Sequence, residues 1–179
     1  MRELSLHIMD VIENGITAGA NLITLRISED RKDNKLRITI TDNGSGIPEE
    51  LVEKVMDPFY TTRKTRRVGL GLSLFREASR RCEGQFHIHS KEGIGTEVFA
   101  SFRLDHIDMA PLGDIAGTIT CLIMGNPEVD IVYTHEVDGK SFELDTRQIR
   151  EELQGVPINT PKVIRYLDDT INESLKKLR

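Results

Sequence analysis

The sequence predicts an α+β fold, a two-layer sandwich in which helices cover one face of a sheet. Three observations carry that prediction. An amphipathic helix opens the chain, two strand–turn–strand units follow over about 21–41 and 85–104, and glycine-rich breaks frame a second helix between them.

In the opening helix Leu4, Ile8, Val11 and Ile12 recur at i, i+4, i+7 and i+8 and form one apolar stripe. His7, Asp10, Asn14 and Thr17 stack as a polar row on another face, so His7 is expected on the same side as Asp10 and Asn14. Gly15 and Gly19 frame the helix end. NLITLRI and KLRITIT then alternate apolar with polar residues around the polar turn SEDRKDN, which is the pattern of a hairpin with one buried face. DNGSGIPEE opens a short helix with Pro48 early and acids in its first turn. Residues 61–67, TTRKTRR, make a basic loop, and the glycines of VGLGLSLFREASRRC begin a helix that runs to about Cys82. QFHIHS and TEVFASFRL, joined by KEGIG, complete a second hairpin.

The texture changes after Leu104, which divides the chain into residues 1–104 and a small α+β extension, residues 105–179. DHIDMAPLGD reads as a connector, and IAGTITCLIMGN suits either a buried helix or a strand. VDIVYTHEVDGKSFELD is a hairpin with Asp138-Gly139 at its turn. TRQIREELQ is a short helix, and a last helix starts at Thr160-Pro161. The extension is marginal as an independent domain and is expected to pack on the first part. It carries no recognisable catalytic motif, and its role is expected to lie in a partner or dimer interface.

Composition narrows the function classes. The 179 residues include 24 basic and 29 acidic side chains, a formal charge of −5 that disfavours non-specific nucleic-acid binding. No apolar run approaches a membrane span, and MRELSLHIMD turns polar at once, without a signal-peptide stretch. The two cysteines, Cys82 and Cys121, suggest neither a disulfide framework nor a zinc site. A cytoplasmic protein without nucleic-acid or membrane partners is expected.

Four segments could carry chemistry. Asp10 and Asn14 lie one turn apart, where an amide oxygen can ligate a hydrated magnesium ion and a carboxylate can take a proton; the same spacing also describes a solvated helix face. In Asp42-Asn43-Gly44-Ser45-Gly46-Ile47, an acceptor-only carboxylate suits the exocyclic amine of adenine, although acidic turns of this kind are common. Gly69-Leu70-Gly71-Leu72-Ser73 opens a helix after the basic loop, so its N–H groups can meet phosphates, with Arg63 and Lys64 adding charge; a lone G-x-G is weak. Gly93-Ile94-Gly95-Thr96 reads by itself as a hairpin turn.

Taken in order, these segments resemble the ATP-binding domain shared by DNA gyrase, the ninety-kilodalton heat-shock chaperone, histidine kinases and MutL. MDVIENGITAGA is similar to the N box, DNGSGIP to the first glycine box, DPFYTTR with VGLGLSLFREA to the F box and second glycine box, and GIGTEVFASF to the last. The resemblance covers about residues 3–104 and implies a Bergerat-type fold that binds ATP and Mg2+. It implies that Asn14 holds the metal and that Asp42 binds the adenine amine, with Gly46 and Thr96 supporting it through a water. Ile47 and Ala18 would line the base pocket, and Gly69 and Gly71 would meet the phosphates, with Arg63 or Lys64 on the terminal one. Gly44, Leu70 and Leu72 complete the expected cofactor-binding set.

Asp10 stands where many relatives carry the glutamate that activates water or an acceptor hydroxyl, and its reach is one methylene shorter. The basic loop is short beside the lid of MutL and gyrase, and no phosphoacceptor helix is expected before the N box. Two functions fit. One is a kinase that phosphorylates a partner protein in trans, as small anti-sigma kinases of this fold do; the other is an ATP-gated binding switch with slow or no hydrolysis. Either implies a protein partner, and a homodimer is compatible with both.

Overall fold

The computed structural model describes residues 3–57 and 70–179; Arg63, Lys64 and Gly69 lie outside the described residues. Helix α1 (Leu4–Thr17) leads into strands β1 (Leu22–Asp30) and β2 (Lys35–Asp42). A short α2 (Glu49–Val52) and a 3-10 turn precede α3 (Gly71–Arg81), β3 (Phe86–Lys91) and β4 (Gly95–Arg103). The remainder is α4 (Ile115–Gly125), β5 (Asp130–Val137), β6 (Lys140–Asp145), α5 (Thr146–Glu152) and α6 (Pro161–Leu178).

All six strands join one mixed sheet in the order β3-β4-β2-β1-β5-β6. Alternation decides which side each residue takes: Ile23, Leu25 and Ile27 of β1 and Leu36, Ile38 and Ile40 of β2 are buried, while Thr24, Arg26 and Thr39 between them are more exposed. The apolar stripe of α1, formed by Leu4, Ile8, Val11 and Ile12, belongs to the same buried cluster. Residues Ile119, Ile123, Leu167 and Ile171 of α4 and α6 extend that cluster without a break.

The extension does more than pack on the preceding part. β5 runs parallel to β1 in register from Leu22 opposite Asp130 to Glu29 opposite Val137, and so makes β1 an interior strand. The connector also reaches α1. The Leu4 and Ser5 N–H groups donate to the carbonyls of Pro111 and Leu112 at 3.0 and 2.8 Å. The first N–H groups of a helix have no intrahelical acceptor, and Glu3 makes no side-chain cap, so these carbonyls take that role.

IAGTITCLIMG resolves as a helix. Asp114 caps it by accepting from the Gly117 N–H at 2.8 Å, and the Thr118 and Thr120 hydroxyls donate back to the carbonyls of Asp114 and Ala116. The Asp138-Gly139 turn takes positive φ at both residues, 50° and 85°, as a two-residue hairpin turn demands. Among the described residues no helix is long and apolar enough to cross a membrane.

His7 departs from the expected polar row. It is only 3% exposed and stacks on Phe75 of α3, with ring centroids 5.2 Å apart, so it faces the helix–helix contact and not the pocket. The reason is that α3 crosses α1 at this turn and covers it. Burial is the main cause that lowers the imidazole from 6.5 to about 4, and among the described residues its Nδ1 has no hydrogen-bond partner. The unfolded chain takes up this proton near 6.5 and the folded chain only near 4, so stability present above 6.5 is lost as pH falls towards 4. His7→Phe is therefore expected to flatten the melting temperature against pH in that interval. Equal slopes in both proteins would assign acid unfolding there to another group.

Candidate nucleotide site

The site forms where β2 ends beneath the last turn of α1. Asp42, the last residue of β2, pairs with Thr96 of β4 across the sheet. Its Oδ1 accepts from the Gly44 N–H at 2.9 Å, and the Thr96 backbone also donates to the carboxyl. Burial raises the Asp42 carboxyl above its ordinary range, and the two N–H groups oppose that shift without cancelling it. The group is thus a half-buried acceptor that a donor from a flat base could satisfy.

Three backbone approaches make room for it. A Cβ at Gly15 would lie 2.8 Å from the Asp42 Cβ, and one at Gly44 would lie 3.0 Å from the Ala18 Cβ and from the Asp42 Oδ1. Gly95, at φ 138°, passes so close to the Asp42 carbonyl that no side chain fits.

The glycine loop is stitched to the β3–β4 turn. Ser45 donates its N–H to the Ala18 carbonyl at 2.8 Å, and its own carbonyl accepts from the Gly93 N–H at 2.7 Å. The Ser90 hydroxyl accepts from the Ile47 N–H at 2.8 Å, reaches the Gly95 carbonyl at 3.0 Å and meets the Thr96 hydroxyl at 2.8 Å. Gly46, at φ 68°, sits against the Lys91 carbonyl. On the strand side, Asn43 Oδ1 accepts from the Asn21 and Leu22 N–H groups, both at 3.0 Å. Ala18, Asp42, Gly44, Gly46, Ile47 and Thr96 are therefore brought together.

A second group gathers at the start of α3. A Cβ on Gly71 would lie 3.2 Å from the Asp10 Cβ and 3.3 Å from its Oδ2, so the Asp10 carboxylate abuts the first residue of that helix. Asn14 is half-buried one turn further along α1. Leu70 is 46% exposed at the N-cap, whereas the Leu72 side chain turns onto the core. Among the described residues no side chain caps α3, which leaves its first N–H groups suited to an anion.

Sequence reasoning missed three contributors: Gly15, Ser90 and Asn43. Gly15 could have been found as the small residue beside Asn14 that faces the strand end. Ser90 had no signal of its own, because its role follows from its register opposite Thr96.

A carboxylate at a strand end, glycine loops on two sides of it and an uncapped helix define an α+β nucleotide-binding domain. The family model described as histidine kinase-, DNA gyrase B-, and HSP90-like ATPase matches residues 2–106, and the chain belongs to that family. Sensor protein kinase WalK of Staphylococcus haemolyticus is 33% identical over 106 residues, which are 55% of this chain and 17% of that protein. WalK of Staphylococcus aureus is 32% identical over the same length, covering 26% of its sequence. The chain thus spans only a small part of the curated relatives it matches.

Among solved structures, the N-terminal domain of a DNA repair protein superposes with a TM-score of 0.58 at 16% identity, over 81% of this chain and 53% of that one. The Aquifex aeolicus MutL ATPase domain complexed with ADP gives 0.51 at 17% identity, over 86% and 70%. Both share the fold with this chain, including part of the extension.

Asp42→Asn is expected to have opposite effects on binding and stability. The amide can turn a donor towards the adenine amine, so calorimetry should show ATP binding abolished. Because the folded pKa is raised, ionisation of Asp42 weakens the nucleotide-free protein as pH rises through the carboxylate range. The variant should therefore melt higher than the parent at neutral pH. Unchanged ATP affinity would remove Asp42 from the pocket.

Proposed function

We propose that this chain binds ATP with magnesium at the Asp42 site and transfers the terminal phosphoryl group to a partner protein. The observation that carries the proposal is the position of Asp10, whose carboxylate lies against the start of α3 on the helix that also presents Asn14. The similarity to sensor protein kinases over residues shared with the family model supports the same reading.

The residues fit the nucleotide. Gly15, Gly44 and Gly95 let the backbone close on Asp42 where a side chain would crowd it, and a planar base would be held by the Asp42 carboxylate. Ala18 and Ile47 would flank it, and Gly46 and Thr96 would support it through a water. Leu70, Gly71 and Leu72 offer backbone N–H groups to phosphate oxygens, joined by Gly69, Arg63 and Lys64 from outside the described residues. Among the described residues no three His, Cys, Asp or Glu side chains could hold a metal by themselves. The Asn14 amide oxygen would hold magnesium, and the ion would supply charge neutralisation to the phosphates.

In the transfer, an acceptor oxygen forms a new bond to the terminal phosphorus as the bridging P–O bond breaks to leave ADP. Asp10 takes the proton from the acceptor hydroxyl. His7 is excluded as an internal acceptor, because it is buried against Phe75.

A second reading is an ATP-gated switch with little turnover. It is favoured by the hydrogen bonds from α1 to the Pro111 and Leu112 carbonyls, which tie the helix bearing Asp10 and Asn14 to the extension.

The deciding experiment follows ATP on the purified protein with magnesium, reading ADP formed and intact protein mass beside an Asp10→Asn control. A kinase is expected to form little ADP alone and to transfer phosphate once its partner is supplied. The control should bind ATP normally and transfer none. Steady ADP release that the control abolishes would instead establish an ATPase, and tight binding without transfer to any partner would leave the switch. For the metal, Asn14→Ala should weaken ATP binding far more with magnesium than with EDTA. Equal losses would take Asn14 out of the metal's coordination.

A further inference from the structure

At the end of the sheet remote from Asp42, a chain of polar groups crosses the junction between β1 and the extension. His135 of β5 is fully buried. Its Nδ1 lies 2.6 Å from the Tyr133 hydroxyl, and its Nε2 lies 2.8 Å from Glu29 Oε1. Burial, with the charge of Glu29, pushes the Tyr133 hydroxyl well above its usual range, so Tyr133 remains a donor. One tautomer then satisfies every group: Tyr133 donates to Nδ1, and Nε2–H donates to Glu29. The His135 hydrogen bond, more than any other cause, holds Glu29 below its ordinary value, with Arg179 adding to it against burial. Arg179 Nη2 donates to the same Oε1 at 3.1 Å.

Glu29 and Arg179 line a cavity of about 390 Å³, within the range of small-ligand sites. Leu36, Leu104, Met109 and Leu112 supply an apolar wall. Asp105, at the rim, is engaged by Arg103 at 2.7 Å. The charges are therefore matched in pairs, and a net anion or cation would meet one favourable and one unfavourable group.

We propose that this cavity binds a free apolar L-amino acid, with its ammonium on the Glu29 carboxylate, its carboxylate on Arg179 and its side chain against the apolar wall. A zwitterion is the chemistry that uses both charged groups at once. His135 and Arg179 both meet the Glu29 carboxylate at Oε1, and a guanidinium carries five N–H donors, so the ligand need not break the existing pair. His135 and Tyr133 act as positioning residues, since they orient Glu29 without reaching the cavity.

The test is titration calorimetry on the full chain with L-leucine, leucinamide, 4-methylpentanoate and glycine. L-Leucine is expected to bind saturably at one site. Leucinamide, which lacks the carboxylate, and 4-methylpentanoate, which lacks the amine, should each bind at least about tenfold more weakly, and glycine should fail for want of a side chain. Arg179 is 52% exposed, so Arg179→Gln should fold, as circular dichroism would confirm. It should lose at least about tenfold in L-leucine affinity with ATP affinity unchanged. No saturable heat with L-leucine, L-methionine or L-phenylalanine at millimolar concentration would overturn the proposal. So would leucinamide binding as well as L-leucine, or an Arg179→Gln protein that binds L-leucine as the parent does.

Discussion

A carboxylate held half out of water is the constraint around which this molecule is arranged. Asp42 is raised above its ordinary range by burial, so the folded chain tolerates it at a cost and surrounds it with backbone in place of side chains. Gly15, Gly44 and Gly95 approach it from a helix, a loop and a strand; a Cβ would collide with a neighbour at Gly15 and Gly95 and crowd one at Gly44. The N–H groups of Gly44 and Thr96 offset part of the desolvation. The hydrogen bonds from Ser45 to Ala18 and from Gly93 to Ser45 then hold these three backbones in a fixed relation.

Much of this was legible before any coordinates. The stripe of Leu4, Ile8, Val11 and Ile12, the alternation of β1 and β2, and the Asp138-Gly139 turn are local patterns whose physics acts within a few residues. The order of the glycine segments pointed to the family for the same reason. What escaped reading depends on partners distant in sequence. His7 has helical spacing that suits the pocket row, and only the crossing of α3, with Phe75 on top of it, puts the ring in the core. Ser90 is an ordinary strand serine until β4 brings Thr96 alongside. α4 could not be told from a strand because its isoleucines and threonines suit both, and the Asp114 cap decides it.

The division at Leu104 marks a change of texture in the sequence but no gap in the structure. Side chains on both sides of it share one hydrophobic cluster, and the connector that follows returns to α1 before the chain goes on to build α4. The polar bridge from Tyr133 through His135 to Glu29 and Arg179 crosses the same junction, joining two strands and the end of the last helix. Apolar packing, helix-end hydrogen bonds and a polar bridge with His135 buried and Arg179 half-exposed therefore act at one seam.

The parallel pairing of β5 with β1 also sets the order in which the chain can reach its native state during synthesis. Glu29 and His135, which meet across that pairing, are 106 positions apart. While the ribosome releases the first half, β1 has β2 on one side and a row of unpaired N–H and C=O groups on the other. That open edge is a template for strands of other chains until residues 130–137 emerge. Closing so long a loop is slow compared with forming the local hairpins, so the nascent protein passes through a stage in which its prospective central strand is an exposed border. Arg26 and the acidic Glu29 and Asp30 lie along that border, and their charges disfavour association with neighbouring chains while the edge remains unpaired.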